Sequence, residues 1–280
     1  MIVLIASFPK SGNTWLRMFL KSYFLKENET FSLDNSKNDS FKVNNFPNEK
    51  MLDDFKIDYT KFENIAKNWG SLQSYINLNS QTNYLKTHSA MCTIGPYKFT
   101  NAEHTKGGIY LIRDPRDVLV SYSHHLGLDY EKTYELISGK YHFEYPNSKI
   151  KDGIQYKRAL IGNWSDHYNS WKSYKFTKIL IIKYEDMIND KYNTFLKILE
   201  YLKEIDSFKI DENKIKNSLK QTEFNELKNL EKKFGFIEKQ KGDFFFRVGK
   251  MNEWKKHLSK DIVNKVEKNF EKEMKELGYL

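Results

Sequence analysis

The opening stretch MIVLIASFPKSGNTWLRMFL confines the chain more than any other. Ile2–Ala6 is apolar, partly β-branched and without alternation, as a strand buried on both faces must be. A helical pattern starts at Thr14 and runs to Leu25. Between them stands PKSGNT, whose composition suits either a connecting turn or a cradle for an anion. A strand, a short glycine-containing loop and a helix aim unsatisfied backbone N–H groups and the positive end of a helix dipole at one point. In that geometry Gly12 lets the backbone approach a ligand and Lys10 adds a mobile cation, while Ser11, Asn13 and Thr14 add polar contacts. Asn13 or Thr14 equally suits a plain N-cap. Trp15 reads as core or as a platform on which a base stacks. The G-x-x-x-x-G-K-[ST] pattern is absent, because Lys10 precedes the glycine. The Ser/Thr–Mg²⁺ arrangement of that pattern is therefore not indicated.

Three more apolar runs, Tyr84–Thr87, Ile109–Ile112 and Lys178–Lys183, have the same strand character. Helix-like segments at Pro115–Leu126, Lys157–Tyr174 and Glu185–Leu202 lie among them. Such alternation predicts an α/β fold with right-handed crossovers and a mostly parallel sheet. Further helical patterns lie near Asp211–Leu219, Glu223–Lys233 and Lys260–Leu277. Two stretches read as irregular and, by their length, as functional or disordered. Asn28–Lys56 is rich in Asn, Asp, Ser and Lys, with a helix expected only after it. Lys233–Trp254 holds Gly235, Gly242 and Gly249 among aromatic and basic residues. Nothing marks a boundary, so residues 1–280 are expected to form one domain.

A second constellation is YLIRDPRDVLVSYSHH, a strand running into a helix. Pro115 suits the first helical position and Asp114 the N-cap. Arg113 then sits at the strand's carboxyl end, where open α/β sheets bind ligands. Its planar fork matches a phosphate, and Ser121, eight positions on, adds a hydroxyl. A surface arginine and an ordinary helical serine would look the same in isolation.

Composition narrows the function. The net charge of +9 suits an anionic partner, but Lys and Asn are abundant throughout, so it also fits compositional bias. No RNP-like or helix-turn-helix signature points to nucleic acid. Cys92 has no partner for an intrachain disulfide, which favours a cytoplasmic chain. No run approaches the roughly 20 apolar residues of a membrane span. Met1–Phe8 lacks the basic and small-residue features of a signal peptide. No His/Cys cluster or H-E-x-x-H pattern calls for a metal.

FPKSGNTWLR resembles the 5′-phosphosulfate-binding loop of the cytosolic-type sulfotransferases, PKSGTTW, with Asn13 for one threonine. Arg113, Pro115, Asp117, Ser121 and Tyr122 fall on that family's 3′-phosphate motif, Arg-x-Pro-x-Asp followed by Ser-Tyr. FFFRVGKMNEWKKHLS resembles its C-terminal signature, Arg-Lys-Gly-x-x-Gly-Asp-Trp-Lys. There Arg247, Gly249, Trp254 and Lys255 match, while Val248, Asn252 and Glu253 depart from Lys, Gly and Asp. Val248 removes a cationic donor and leaves backbone contacts at Val248 and Gly249. KYEDM resembles the family's Tyr-Glu-Asp-Met and includes Tyr184. QTEFNEL, with Thr222 and Phe224, is similar to its adenine-lining Thr-Ser-Phe-x-x-Met. GNWSDHYNSW is similar to a further family segment and reads mainly as core packing.

The resemblance implies a P-loop-like three-layer α/β/α fold. It implies 3′-phosphoadenosine-5′-phosphosulfate (PAPS) as sulfuryl donor, adenosine 3′,5′-bisphosphate (PAP) as product, and no metal. The acceptor is then a hydroxyl or an amine on a small molecule, lipid or carbohydrate. LKTHS is similar to the family's Lys-Thr-His, which makes His88 the general base and Lys86 a second cation near the transferring group. Lys10 would meet the leaving phosphate, and Ser121 would hold Lys10 back until an acceptor arrives. Acceptor-lining candidates are Asn28–Lys56, Tyr75–Asn83, Ser138–Gly153 and Phe234–Phe246. Lys260–Glu267 does not reproduce the dimerisation motif of animal relatives, leaving monomer or homodimer open. A P-loop-like kinase and a basic nucleic-acid-binding protein are the alternative readings.

Overall fold

The computed structural model describes residues 1–34, 39–145, 157–241 and 243–280. Gly242, residues 35–38 of the Asn28–Lys56 stretch and residues 146–153 of Ser138–Gly153 thus lie outside the described residues.

Five strands build the central sheet: β1 (Ile2–Ser7), β2 (Val43–Asn45), β3 (Asn83–Thr87), β4 (Thr105–Ile112) and β5 (Lys178–Lys183). Their order is β2-β3-β1-β4-β5, and every pairing is parallel. β1 is buried throughout, because helices cover both faces of the sheet. Ile2, Leu4 and Ala6 pack on one side with Trp69, Trp164 and Trp171. Val3 and Ile5 pack on the other with Leu16, Phe19 and Phe195. The result is a three-layer α/β/α fold. β1 lies between β3 and β4, so the chain reverses its direction of winding beside it. Open α/β sheets bind ligands at such a switch point, beyond the carboxyl ends of the strands.

The register sets the site. Ala6 pairs with Thr87 and Ser7 with Leu111, so the three strands end level. The loop at residues 8–12, His88 and Arg113 therefore leave the sheet side by side.

Several elements differ from the sequence reading. β2 and the helix Glu49–Asp54 lie within the stretch read as irregular. β2 escapes pattern reading because Val-Asn-Asn carries one apolar residue and pairs with β3 alone. The expected Lys157–Tyr174 helix is confined to Trp164–Lys172: Gly162 has φ 72°, and Asn163 caps the helix by accepting from the Asp166 N–H. The Glu185–Leu202 segment is two helices, Tyr184–Asn189 and Lys191–Ile205, broken at Asp190. The Lys260–Leu277 segment is also two, Lys260–Asn269 and Glu271–Leu277, broken at buried Phe270. Among the described residues, no helix is long and apolar enough to cross a membrane.

Candidate active site

The helix Asn13–Phe24 begins one residue earlier than its pattern suggests, and this decides what the loop can do. Gly12 holds the N-cap position in a left-handed conformation, and no side chain caps the helix. Neither Asn13 nor Thr14 is the cap. The first amides of a twelve-residue helix are left for another acceptor. Glycine is needed at position 12 for a second reason. A Cβ there would meet the Tyr184 ring at 2.7 Å. Lys10 also has positive φ, 67°.

The polar side chains of the loop divide into two sets. Asn13 is spent on structure: Nδ2 donates to the Ile5 carbonyl and to Ser7 Oγ, and Oδ1 accepts from Arg17 Nε. Its side-chain amide therefore braces the loop, while the residue also borders the cavity. Ser11 Oγ is buried and unpartnered, as are Trp15 Nε1 and Arg113 Nε. Buried polar atoms without partners cost stability unless a ligand or water satisfies them. Trp15 packs edge-on against Tyr184 and Phe195, so it serves as core on one side.

Arg113 joins the loop to the C-terminal signature. Nη1 donates to the Lys10 carbonyl at 3.3 Å and Nη2 to the Lys250 carbonyl at 2.9 Å. The guanidinium lies 4.3 Å from the Tyr184 ring centroid. Asp117 accepts from the Asn252 and Trp254 N–H groups and fixes the signature to the helix Pro115–Leu126. Asn252 has φ 60°, a conformation asparagine tolerates, so its replacement of the family's glycine keeps the turn. Gly249 has φ 65°, and any Cβ there would enter the Phe224 ring. Gly249→Ala is thus expected to lose about 1–2 kcal/mol from the left-handed backbone alone. The ring overlap adds to that loss, and urea unfolding measures the sum.

His88 follows β3, and its Nδ1 lies 2.8 Å from the Ser7 carbonyl. A carbonyl only accepts, so Nδ1 carries the proton and Nε2 is the basic nitrogen. Burial, and then the Lys86 ammonium, push the imidazole down to about 3, so it is neutral at ordinary pH. Lys86 donates to Glu144 at 3.2 Å. Burial pushes the Lys10 ammonium down to about 7, and its Nζ sits 4.0 Å from the Phe245 ring centroid. The expected Ser121 contact with Lys10 is not formed among the described residues; Phe245 holds the ammonium instead.

These groups share one cavity of about 1310 Å³. Lys10, Gly12, Asn13, Thr14, Trp15, Lys86, His88, Arg113 and Ser121 line it. So do Tyr184, Thr222, Phe224, Arg247, Val248 and Gly249. Ser11 alone of the predicted residues lies behind its wall. Thr222 spends its hydroxyl on the Ser218 carbonyl, so only its remaining surface faces the cavity. The GNWSDHYNSW segment is core, as expected, and also sets backbones in place. Trp164 Nε1 donates to the Arg113 carbonyl, His167 Nε2 to that of His88, and Trp171 Nε1 to that of Ser89.

Sequence reading did not single out Arg17 and Arg158, which line the cavity, and it placed Glu144, Glu238 and Phe245 only within the acceptor-lining stretches Ser138–Gly153 and Phe234–Phe246. Arg17 donates to Thr14 Oγ1 and to Glu238. Its i+3 spacing from Thr14 was the available signal. Arg158 lies in a stretch without a motif.

A family profile described as "Sulfotransferase domain" matches residues 2–278. The chain belongs to the sulfotransferase domain family. Luciferin sulfotransferase of Photinus pyralis is 24% identical over 283 residues, covering 94% of this chain and 69% of that protein. Sulfotransferase 2A2 of Rattus norvegicus is 30% identical over 172 residues, 59% of this chain and 55% of that one. The crystal structure of retinol dehydratase with retinol and PAP is similar in fold, with TM-score 0.61 and 18% identity, over 98% of this chain and 81% of that one.

Proposed function

We propose that this sulfotransferase moves a sulfuryl group from PAPS to a hydroxyl or amine of a small-molecule, lipid or carbohydrate acceptor. The observation that carries the reading is the uncapped helix start beside Lys10, with His88 Nε2 in the same cavity. The orphaned Arg113 Nε fits an anionic ligand there. Lys10, Thr14 and the amides after Gly12 would hold the 5′ end, and Arg113, Ser121 and the Arg247–Gly249 backbone the 3′-phosphate. Tyr184, Trp15, Thr222 and Phe224 would flank the nucleoside. The donor supplies an activated sulfuryl group on a phosphate leaving group. His88 Nε2 takes the acceptor's proton, and Lys10 bears on the oxygen where charge develops. Residues 1–280 act as one cytoplasmic domain in this reading.

Calorimetry with PAP and a mass-shift acceptor screen with PAPS test the proposal together. Saturable PAP binding with a product heavier by one sulfuryl group supports it. Binding of ATP with no uptake of PAP overturns it in favour of a kinase.

Binding should also carry a proton signature. Burial holds Lys10 near 7 in the free protein, so at pH 8 it is mostly neutral. An adjacent phosphate favours the ammonium and raises that value. PAP binding at pH 8 is expected to take up a proton, and affinity is expected to fall as pH rises through 7. Calorimetry in buffers of different ionisation heat reads the uptake, which Lys10→Ala should remove.

A further inference from the structure

We propose that Glu144 is a positioning residue for the acceptor side of the reaction, holding the Lys86 ammonium in place beside His88. The inference rests on the reading above, in which Lys86 and His88 face the acceptor. Lys86 and His88 are two positions apart at the end of β3, so they project to the same side. Both line the cavity. The Lys86 side chain is only 8% exposed. A lysine so placed sheds its proton or swings away unless a carboxylate meets it.

Glu144 is that carboxylate. It stands on a two-residue strand, Phe143–Glu144, paired antiparallel with Ala159–Leu160. Oε1 accepts from Lys86 Nζ at 3.2 Å and from Arg158 Nη2 at 2.6 Å, and Oε2 accepts from Arg158 Nε at 3.2 Å. Arg158 thus aims the carboxylate, and the carboxylate aims the lysine. The titratable groups around Lys86 come from several elements. Glu144 and Arg158 face it from the ribbon, His88 from its own strand, Glu238 from the segment after the helix Phe224–Phe234, Arg17 from the first helix, Lys10 from the loop after β1 and His125 from the helix Pro115–Leu126. Glu144 is the carboxylate bonded to it. Without Glu144, Lys86 faces the Arg158 guanidinium with no bonded counter-charge among the described residues.

A double-mutant cycle tests the assignment, because residues acting through one another are not additive. Glu144→Gln and Lys86→Met are each expected to lower acceptor kcat/KM by about thirtyfold. The double variant is expected to fall no more than about threefold further. PAP affinity, read by calorimetry, should stay within about threefold of wild type in Glu144→Gln. Multiplying losses, or a Glu144→Gln loss within about twofold, overturn the proposal.

A second readout needs no turnover. Acetylation of Lys86 at pH 8, followed by peptide mass spectrometry, is expected to run about tenfold faster in Glu144→Gln. Unchanged labelling overturns the proposal even if the melting temperature drops. Should Glu144→Gln fail to fold, the variant Glu144→Gln with Arg158→Gln keeps a neutral pair, and the same labelling decides. If wild type transfers no sulfuryl group, the functional reading falls, while the labelling still judges Glu144.

Discussion

Lys10→Ala is expected to lower sulfuryl transfer by about a thousandfold, the scale seen when a donor to developing charge is removed. The fold should survive. Lys10 already sits at φ 67°, so alanine inherits the same backbone cost. The carbonyl that receives Arg113 Nη1 is also kept. PAP binding should weaken far less than turnover, because the uncapped amides and Arg113 remain. That contrast separates charge stabilised in the transition state from uniform binding. Steady-state kinetics and calorimetry on the same preparation make the comparison. Loss of both in equal measure would recast Lys10 as a binding residue only. In wild type, donor kcat/KM is expected to decline as pH rises through about 7, the value at which Lys10 loses its proton.

His88→Ala is expected to cut turnover by about 10²–10⁴-fold while leaving PAP affinity nearly unchanged. The imidazole is oriented through Nδ1, which points at the Ser7 carbonyl, and the His88 backbone carbonyl is fixed by His167 Nε2. An imidazole pushed down to about 3 is neutral throughout the range in which the enzyme would be assayed. Its own titration should therefore produce no acid limb between pH 5 and pH 7. It is a weak base for the task, and a nearby anion would strengthen it by opposing the field of Lys86. Full activity of the alanine variant, or an acid limb near 6.5 that vanishes with His88, would contradict this account.

The four strands that carry the site were legible because each is an apolar run covered on both faces. The two strand–helix junctions were legible because their turn chemistry is specific: Pro115 after Asp114, and a glycine-containing loop with Lys10. What was hidden is instructive. The partners of Asn13 could not be foreseen, because a side-chain amide suits a ligand as well as it suits the Ile5 carbonyl. The placement of Lys10 over Phe245 brings together residues from opposite ends of the chain, a contact that neither local pattern specifies. Glu144 and Arg158 sit in a stretch whose composition resembles any polar loop; only the antiparallel ribbon brings them to Lys86.

The level ending of β1, β3 and β4 has a bearing on how such a catalyst can be remodelled. A one-residue insertion inside β3, before Lys86, would turn both Lys86 and His88 to the far side of the sheet and take them out of the cavity. Lengthening the connection between β2 and β3, or between the two strands of the small ribbon, moves neither. Directed evolution toward new acceptors should therefore concentrate its insertions and deletions in those connections and confine changes within the strands to substitutions.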